Sequence, residues 1–172
     1  MPRNVEIKAR ARDVNRLRAR AEELSGGPAE MLYQRDTFYH IPDGRLKLRV
    51  VPNRPCELIF YRRPDAVGAK TSEYQIVRSD DLEGLSRILD IALDVRGVVT
   101  KTRFLYRIDQ TRVHIDDVEG LGTFLELEVV LRDDQTEAEG AAIAEELLGQ
   151  LGIDPTDHVA GAYIDLLEAC ET

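Results

Sequence analysis

The chain has 172 residues, of which 43% are apolar and 32% charged, with only 7 Pro and 12 Gly. That length can enclose one hydrophobic core, so the whole of residues 1–172 reads as a single domain, and the composition excludes a disordered or membrane-spanning chain. The net charge of -9 argues at first against a polyanionic ligand, but it is unevenly spread: residues 1–63 carry +6, residues 64–112 balance at 0, and residues 113–172 carry -15. A chain divided in this way can fold its basic and acidic parts against each other, or gather them round one ligand. No apolar run reaches bilayer length and the N-terminus has no signal-peptide core, so a cytoplasmic protein with no membrane partner is expected. Cys56 and Cys170 are too few for a disulfide framework or a zinc site.

In chain order, the first segment alternates with period two. Val5, Ile7, Ala9 and Ala11 share one face; Asn4, Glu6, Lys8, Arg10 and Arg12 share the other. Asp13 to Leu24 follows as a helix, with an Asp at its start, Leu17, Ala21 and Leu24 on one face, and Gly26-Gly27 after it. Strand-like composition returns near 34–41. Residues 45–51 place Leu46, Leu48 and Val50 opposite Arg45, Lys47 and Arg49. Further strands are expected near 57–63 and 72–78. Asp81 to Leu93 carries Leu82, Leu85, Ile88, Leu89 and Ala92 at helical spacing. Strands near 98–108 and 112–118 lead to residues 124–131, where Leu125, Leu127, Val129 and Leu131 alternate with Glu126 and Glu128. Thr136 and Glu139 have capping-box spacing at the head of a helix over Glu137 to Leu151, which Gly152 ends. A last helix is expected near Pro155 to Ala169, presenting Tyr163, Leu166 and Leu167. About eight strands and four helices make the class α+β, with a mostly antiparallel sheet.

Any one alternating strand reads most simply as half buried, with its polar face in water. The set is different. The polar faces are nearly all ionised, and they differ in sign: Arg45/Lys47/Arg49 is cationic and Glu126/Glu128 anionic. If the apolar faces pack under helices and the sheet closes, the charged faces line one interior. Such charges are costly unless paired, hydrated or bound to an ion or ligand, and a ligand carrying both metal ions and phosphates would meet that need.

The start, Val5-Glu6-Ile7-Lys8, resembles the Glu-x-Glu-x-Lys signature of the CYTH domain, the triphosphate tunnel metalloenzymes, which include class IV adenylate cyclases, thiamine triphosphatases and inorganic triphosphatases. Further segments follow in family order: Gln34 to Tyr39, Leu46-Lys47-Leu48-Arg49, Leu58 to Pro64, Ser72-Glu73-Tyr74, and Val99 to Arg103. The most specific runs from His114-Ile115-Asp116 through Val118-Glu119-Gly120-Leu121-Gly122 to Phe124-Leu125-Glu126-Leu127-Glu128. The match spans about residues 4–131, with a compatible tail at Tyr163 to Leu167.

The resemblance implies a closed eight-stranded antiparallel β-barrel forming a tunnel, helices outside it, and a triphosphate bound within alongside Mg²⁺ or Mn²⁺. Glu6, Glu126 and Glu128 match metal-binding positions, and Asp116 a further acidic tunnel position. Carboxylates suit these ions, which favour hard oxygen ligands. Lys8, Lys47, Arg49, Arg62, Lys101 and Arg103 match basic positions that hold phosphate oxygens, with Arg63 the alternative to Arg62 for the inward phase. Lys8 is also the candidate to assist deprotonation of a nucleophile. The family's first signature Glu is Asn4 here, which either lends a neutral carbonyl oxygen to an ion or simply begins the strand.

The expected activity is that of a metal-dependent enzyme similar to the class IV adenylate cyclase branch, converting ATP to cyclic AMP and pyrophosphate. The alternatives are a triphosphate phosphohydrolase, acting on thiamine triphosphate or inorganic triphosphate, and a non-catalytic triphosphate or polyphosphate binding module, which Asn4 motivates. A lipocalin-like carrier is opposed by the charged inward phase. Gly68-Ala69-Lys70-Thr71 lacks the glycine spacing of a P-loop, and no Gly-x-Ser-x-Gly occurs. His40, His114 and His158 lack metal-ligand spacing and read as structural or surface residues. No basic face with interleaved aromatics points to nucleic acid. A homodimer is an expectation from the family alone.

Overall fold

The computed structural model describes residues 1–171. Eight strands appear where the alternation is read: β1 (Arg3–Arg10), β2 (Glu30–Tyr39), β3 (Arg45–Val50), β4 (Cys56–Arg62), β5 (Lys70–Ser79), β6 (Val95–Ile108), β7 (Thr111–Val118) and β8 (Gly122–Val130). Every pairing is antiparallel, and the order β1-β5-β4-β3-β2-β6-β7-β8 closes on itself. Closure removes edge strands and gives each strand an inner and an outer face.

The outer faces carry the apolar phase. Val5 and Ile7 of β1, Val113 and Ile115 of β7, and Leu125 and Leu127 of β8 are fully buried under α1 (Val14–Ser25) and α3 (Glu137–Leu151), where they meet Leu17, Ala21, Ala144 and Leu148. Both helices begin and end where the sequence marks them. The Asp13 side chain accepts from the Arg16 amide, and Gly26 ends α1 at φ 77°. Thr136 and Glu139 form the reciprocal capping box of α3. Gly140 lets α3 lie close on the sheet, because a Cβ there would stand 2.5 Å from Leu131 Cδ2 and 2.7 Å from Val5 Cγ2. α2 (Leu82–Ala92) presses Leu85 and Leu89 onto Tyr39, Leu48 and Cys56.

The tail departs from expectation. The segment that begins at Pro155 is only a short 3-10 turn, Pro155–Asp157. The chain then runs beside β1, with Ala9 bridged to His158 and the Val159 amide donating to the Lys8 carbonyl. α4 starts at Tyr163 and runs to Glu171. Pro at a first helical position signals a start but not a length; pairing with β1 outcompetes helix here. The outcome is functional, because Ala162, Tyr163 and Ile164 pack against the inward-facing Phe38, Val99 and Phe124 and cap one end of the barrel. No helix among the described residues is long and apolar enough to cross a membrane.

Candidate active site

The inner faces enclose a cavity of about 280 Å³, and all eight strands or their immediate ends contribute Lys, Arg or carboxylate side chains to its lining. Strand order separates the two signs. The wall of β2, β3 and β6 carries Lys47, Arg49, Lys101 and Arg103; β1 and β8, beside β7, carry Glu6, Glu126 and Glu128.

On the cationic wall, Asp36 of β2 stands opposite Arg49 of β3. Arg49 grips it with two hydrogen bonds, Nε to Oδ1 at 2.8 Å and Nη2 to Oδ2 at 2.7 Å, and Lys47 Nζ lies 3.1 Å from Oδ2. Burial opposes ionisation of Asp36, but Arg49 and Lys47 outweigh it and hold the carboxyl well below its ordinary range. Asp36 belongs to a segment that resembles the family yet is not singled out in the sequence, because a lone acid on a phosphate-binding wall suggests no role until its partners are seen. It fixes two phosphate-binding side chains in place. Lys101 of β6 is buried nearby, and burial followed by the charge of Arg103 brings its amine down to about 7.

Arg103 of β6 faces Asp116 of β7 across the seam between the walls. It donates from Nε to Oδ1 and from Nη2 to Oδ2, both at 2.7 Å, and Tyr163 Oη donates to Oδ2 at 2.8 Å. Asp116 has no exposed surface and does not line the cavity. Its lone pairs are occupied and it lies behind Arg103, which corrects the expectation of an acidic group facing the tunnel's ligands. Asp116 orients Arg103 and ties the α4 cap to the barrel.

The acidic wall follows from register. Lys8 stands opposite Glu126, Glu6 opposite Glu128, His114 opposite Glu126, and Arg112 opposite Glu128. Lys8 Nζ lies 3.8 Å from Glu126 Oε1, donates to the Gly161 carbonyl at 3.0 Å, and sits 4.0 Å from the centre of the Tyr163 ring. Burial pushes Lys8 down to about 8 against the pull of Glu126. Burial and then Glu128 raise Glu6 above its ordinary value, even though Arg63 opposes the shift. Burial works against ionisation of Glu126 as well, but Lys8, His114 and Arg103 hold it well below. Glu128 is likewise held at about 2, burial being outweighed by His114 and Arg112.

Arg62 is a correction. Glu57, Ile59, Tyr61 and Arg63 take the inward phase of β4 and its end, so Arg62 points outward and pairs with exposed Asp43 at 2.7 Å. Arg63 is the tunnel residue. Its Nη1 donates to Glu6 Oε2 at 2.6 Å and lies 3.6 Å from Glu126 Oε1, while Nε and Nη2 are buried without a hydrogen-bond partner.

Asn4 is buried in the cavity lining. With its amide oriented to satisfy its neighbours, the oxygen accepts from Arg112 Nη2 at 3.1 Å and the nitrogen donates to the Arg3 carbonyl at 3.2 Å. Its oxygen is thus engaged by Arg112, the same cation whose Nε donates to Glu128 Oε2 at 2.8 Å.

Among the described residues, one group of His and carboxylate side chains can hold a cation. His114, Glu126 and Glu128 each offer a ligand atom within 4.8 Å of the others. At His114 the structure adds a second possibility to the structural or surface reading of the three histidines, that of a ligand. Sequence spacing could not reveal it, because its neighbours lie across the β7–β8 ladder rather than along the chain. The donor set of two carboxylates and an imidazole fits a divalent ion.

The comparisons with known proteins agree with this geometry. The CYTH domain family matches residues 2–163, and the chain belongs to that family. A Methanocaldococcus jannaschii protein named "Putative adenylate cyclase MJ0240" is 28% identical over 171 residues, covering 94% of this chain and 97% of that protein. Among solved structures, the PH1012 protein of Pyrococcus horikoshii superposes with a TM-score of 0.85 at 22% identity, covering 95% of this chain and 99% of that one. A Vibrio parahaemolyticus protein, also described as a "putative adenylate cyclase", gives 0.79 at 18% identity, covering 96% and 97%. At these identities the solved structures bear on the fold alone.

Proposed function

We propose that this CYTH protein is a divalent-cation-dependent enzyme acting on a triphosphate held inside the barrel, with ATP cyclisation to cyclic AMP and pyrophosphate as its reaction. The observation that carries the reading is the pair of opposed walls: a cationic one already ordered by Asp36, and an acidic one where Glu126, Glu128 and His114 bring ligand atoms within 4.8 Å of one another. Lys47, Arg49, Arg63, Lys101 and Arg103 would take the phosphate oxygens, the arginines by planar forks and the lysines as point charges. Glu126, Glu128 and Glu6 would hold Mg²⁺ or Mn²⁺, which supplies charge neutralisation at the phosphates as a P–O bond breaks. The name of the Methanocaldococcus relative supports cyclisation over other outcomes.

In that reaction the ribose 3′-hydroxyl oxygen bonds to the α-phosphorus, the bond from that phosphorus to the β-phosphate oxygen breaks, and pyrophosphate leaves. The hydroxyl proton goes to Lys8 Nζ, whose amine at about 8 keeps a free-base fraction at neutral pH. A second reading, hydrolysis of the terminal phosphate of ATP, thiamine triphosphate or inorganic triphosphate, is favoured by the position of Lys8 beside the capped end. A triphosphate entering tail first would bring its last phosphorus there.

Product analysis decides between them. Purified protein is incubated with each triphosphate and each metal, and the products are resolved. Cyclic AMP with pyrophosphate supports the first reading and orthophosphate the second; tight binding without turnover defeats both. Glu126→Gln should lower turnover at least ~100-fold, given what loss of metal-site groups costs. Retention of activity in that variant would show the site to be elsewhere.

A further inference from the structure

His114 is buried, at 3% exposure, and its Nδ1 has no hydrogen-bond partner among the described residues. A buried imidazole nitrogen with no protein partner is costly, and its presence needs a cause. Two carboxylates flank the ring edge. Nδ1 is 3.9 Å from Glu126 Oε2, and Nε2 is 3.9 Å from Glu128 Oε2. Both separations are too long for hydrogen bonds. A single ring nitrogen can ligate one ion, and one atom from each of the three side chains lies within 4.8 Å of the other two; bonds of about 2.0–2.2 Å to nitrogen and oxygen place neighbouring ligands about 3–3.5 Å apart, so the group closes by about 1 Å on an ion it shares. His40 and His158 do not line the cavity, so His114 is the histidine placed to face a cation there.

We infer that His114 is a nitrogen ligand of the tunnel cation, together with Glu126 and Glu128, and that it makes this site select a first-row transition ion such as Mn²⁺ or Co²⁺ over Mg²⁺. The inference rests on the metal-dependent reading above and adds the donor that chooses the metal. Mg²⁺ favours an all-oxygen octahedral shell and gains little from imidazole, whereas affinities of nitrogen-containing sites rise along the first-row series.

The test needs neither substrate nor turnover. Mn²⁺ alone is added to the protein, and pulsed electron paramagnetic resonance reads coupling to directly bound nitrogen. Wild type should show an imidazole ¹⁴N coupling, and protein labelled with ¹⁵N-histidine should replace it with the ¹⁵N pattern. His114→Gln, which exchanges the nitrogen for an oxygen donor, should lose the coupling. Titration calorimetry should give Mn²⁺ at least ~10-fold tighter binding than Mg²⁺ in wild type, a ratio that falls to about 2-fold or less in His114→Gln while Mg²⁺ affinity holds. The labelled wild type keeps the test decisive if the variant does not fold. Bound Mn²⁺ without histidine coupling, or an Mn²⁺/Mg²⁺ ratio indifferent to residue 114, would overturn the inference and leave the catalytic reading standing. Nitrogen-coupled Mn²⁺ on a protein that turns over no triphosphate would do the reverse.

Discussion

The two walls of the tunnel carry opposite charges, and they differ more deeply in how well those charges are satisfied. On the β2/β3 side, Asp36 takes two bonds from Arg49 and a contact from Lys47, so the cations are held apart and aimed without a ligand. On the side of β1, β7 and β8, burial and then Glu128 push Glu6 toward its protonated form, His114 Nδ1 has no hydrogen-bond partner, and Arg63, at the end of β4, keeps two buried nitrogens without partners. One wall is preorganised and the other is incompletely paired. Preorganisation serves binding of a fixed anionic shape; on the other wall the Arg63 donors call for an anionic acceptor and the His114 nitrogen for a polar partner or an ion.

The sharpest way to break this contrast is Asp36→Asn. It removes the acid that orders the cationic wall and leaves Arg49 and Lys47 buried together. We expect a loss of about 3 kcal/mol, or roughly 6–12 °C in Tm, with inorganic triphosphate restoring much of it in a thermal-shift assay. An unchanged Tm would mean that the wall is not held by Asp36.

The lysines sharpen the contrast through pH. Lys101 and Lys8 are brought down to about 7 and about 8 by burial, so both lose protons across a range where an exposed lysine would not. A polyanion favours the charged amines, so its binding takes up protons between these values. Triphosphate affinity should therefore fall about 10-fold from pH 6.5 to 9, and Lys101→Arg should flatten the profile. The sign for stability is the opposite. Both amines bind protons less readily folded than unfolded, so their cost is largest below about 7 and fades as pH rises toward 10.5.

The smallest contrast lies between two adjacent arginines. Arg63→Gln frees Glu6 and Glu126, and should tighten Mn²⁺ binding several-fold without triphosphate while weakening triphosphate about 10-fold. Arg62→Gln should change neither by more than about 2-fold, because its pair with Asp43 is exposed. Calorimetry on both variants measures the difference.

Much of this was legible in the chain because period-two alternation survives closure. The charged inward residues Glu6, Lys8, Lys47, Arg49, Glu126 and Glu128 share their faces strand by strand in the sequence, and all line the cavity. What was hidden depends on relations between strands. Phase is ambiguous where a strand ends, so Arg62 and Arg63 could not be told apart. Asp116 and Asp36 gain their meaning from the arginines opposite them on neighbouring strands. His114 gains its meaning from Glu126 on β8. The late start of α4 depends on β1, to which residues 158–159 are bonded from the far end of the sequence.

That last contact carries a consequence for how the protein is made. β1 is synthesised before the other seven strands, bearing Asn4, Glu6 and Lys8, yet it pairs only with β5 and β8. Lys8 meets Glu126, and then the carbonyl of Gly161, 153 residues further on. Couplings so distant in sequence are slow to form, because a long loop must close before any contact rewards it. The first strand therefore waits, charged and hydrated, until β8 has been synthesised, and the cap reaches it later still. The charges that make β1 a tunnel wall in the finished protein also keep it soluble while it is a lone strand, so its unpaired edge is guarded during the interval when it could recruit the wrong partner.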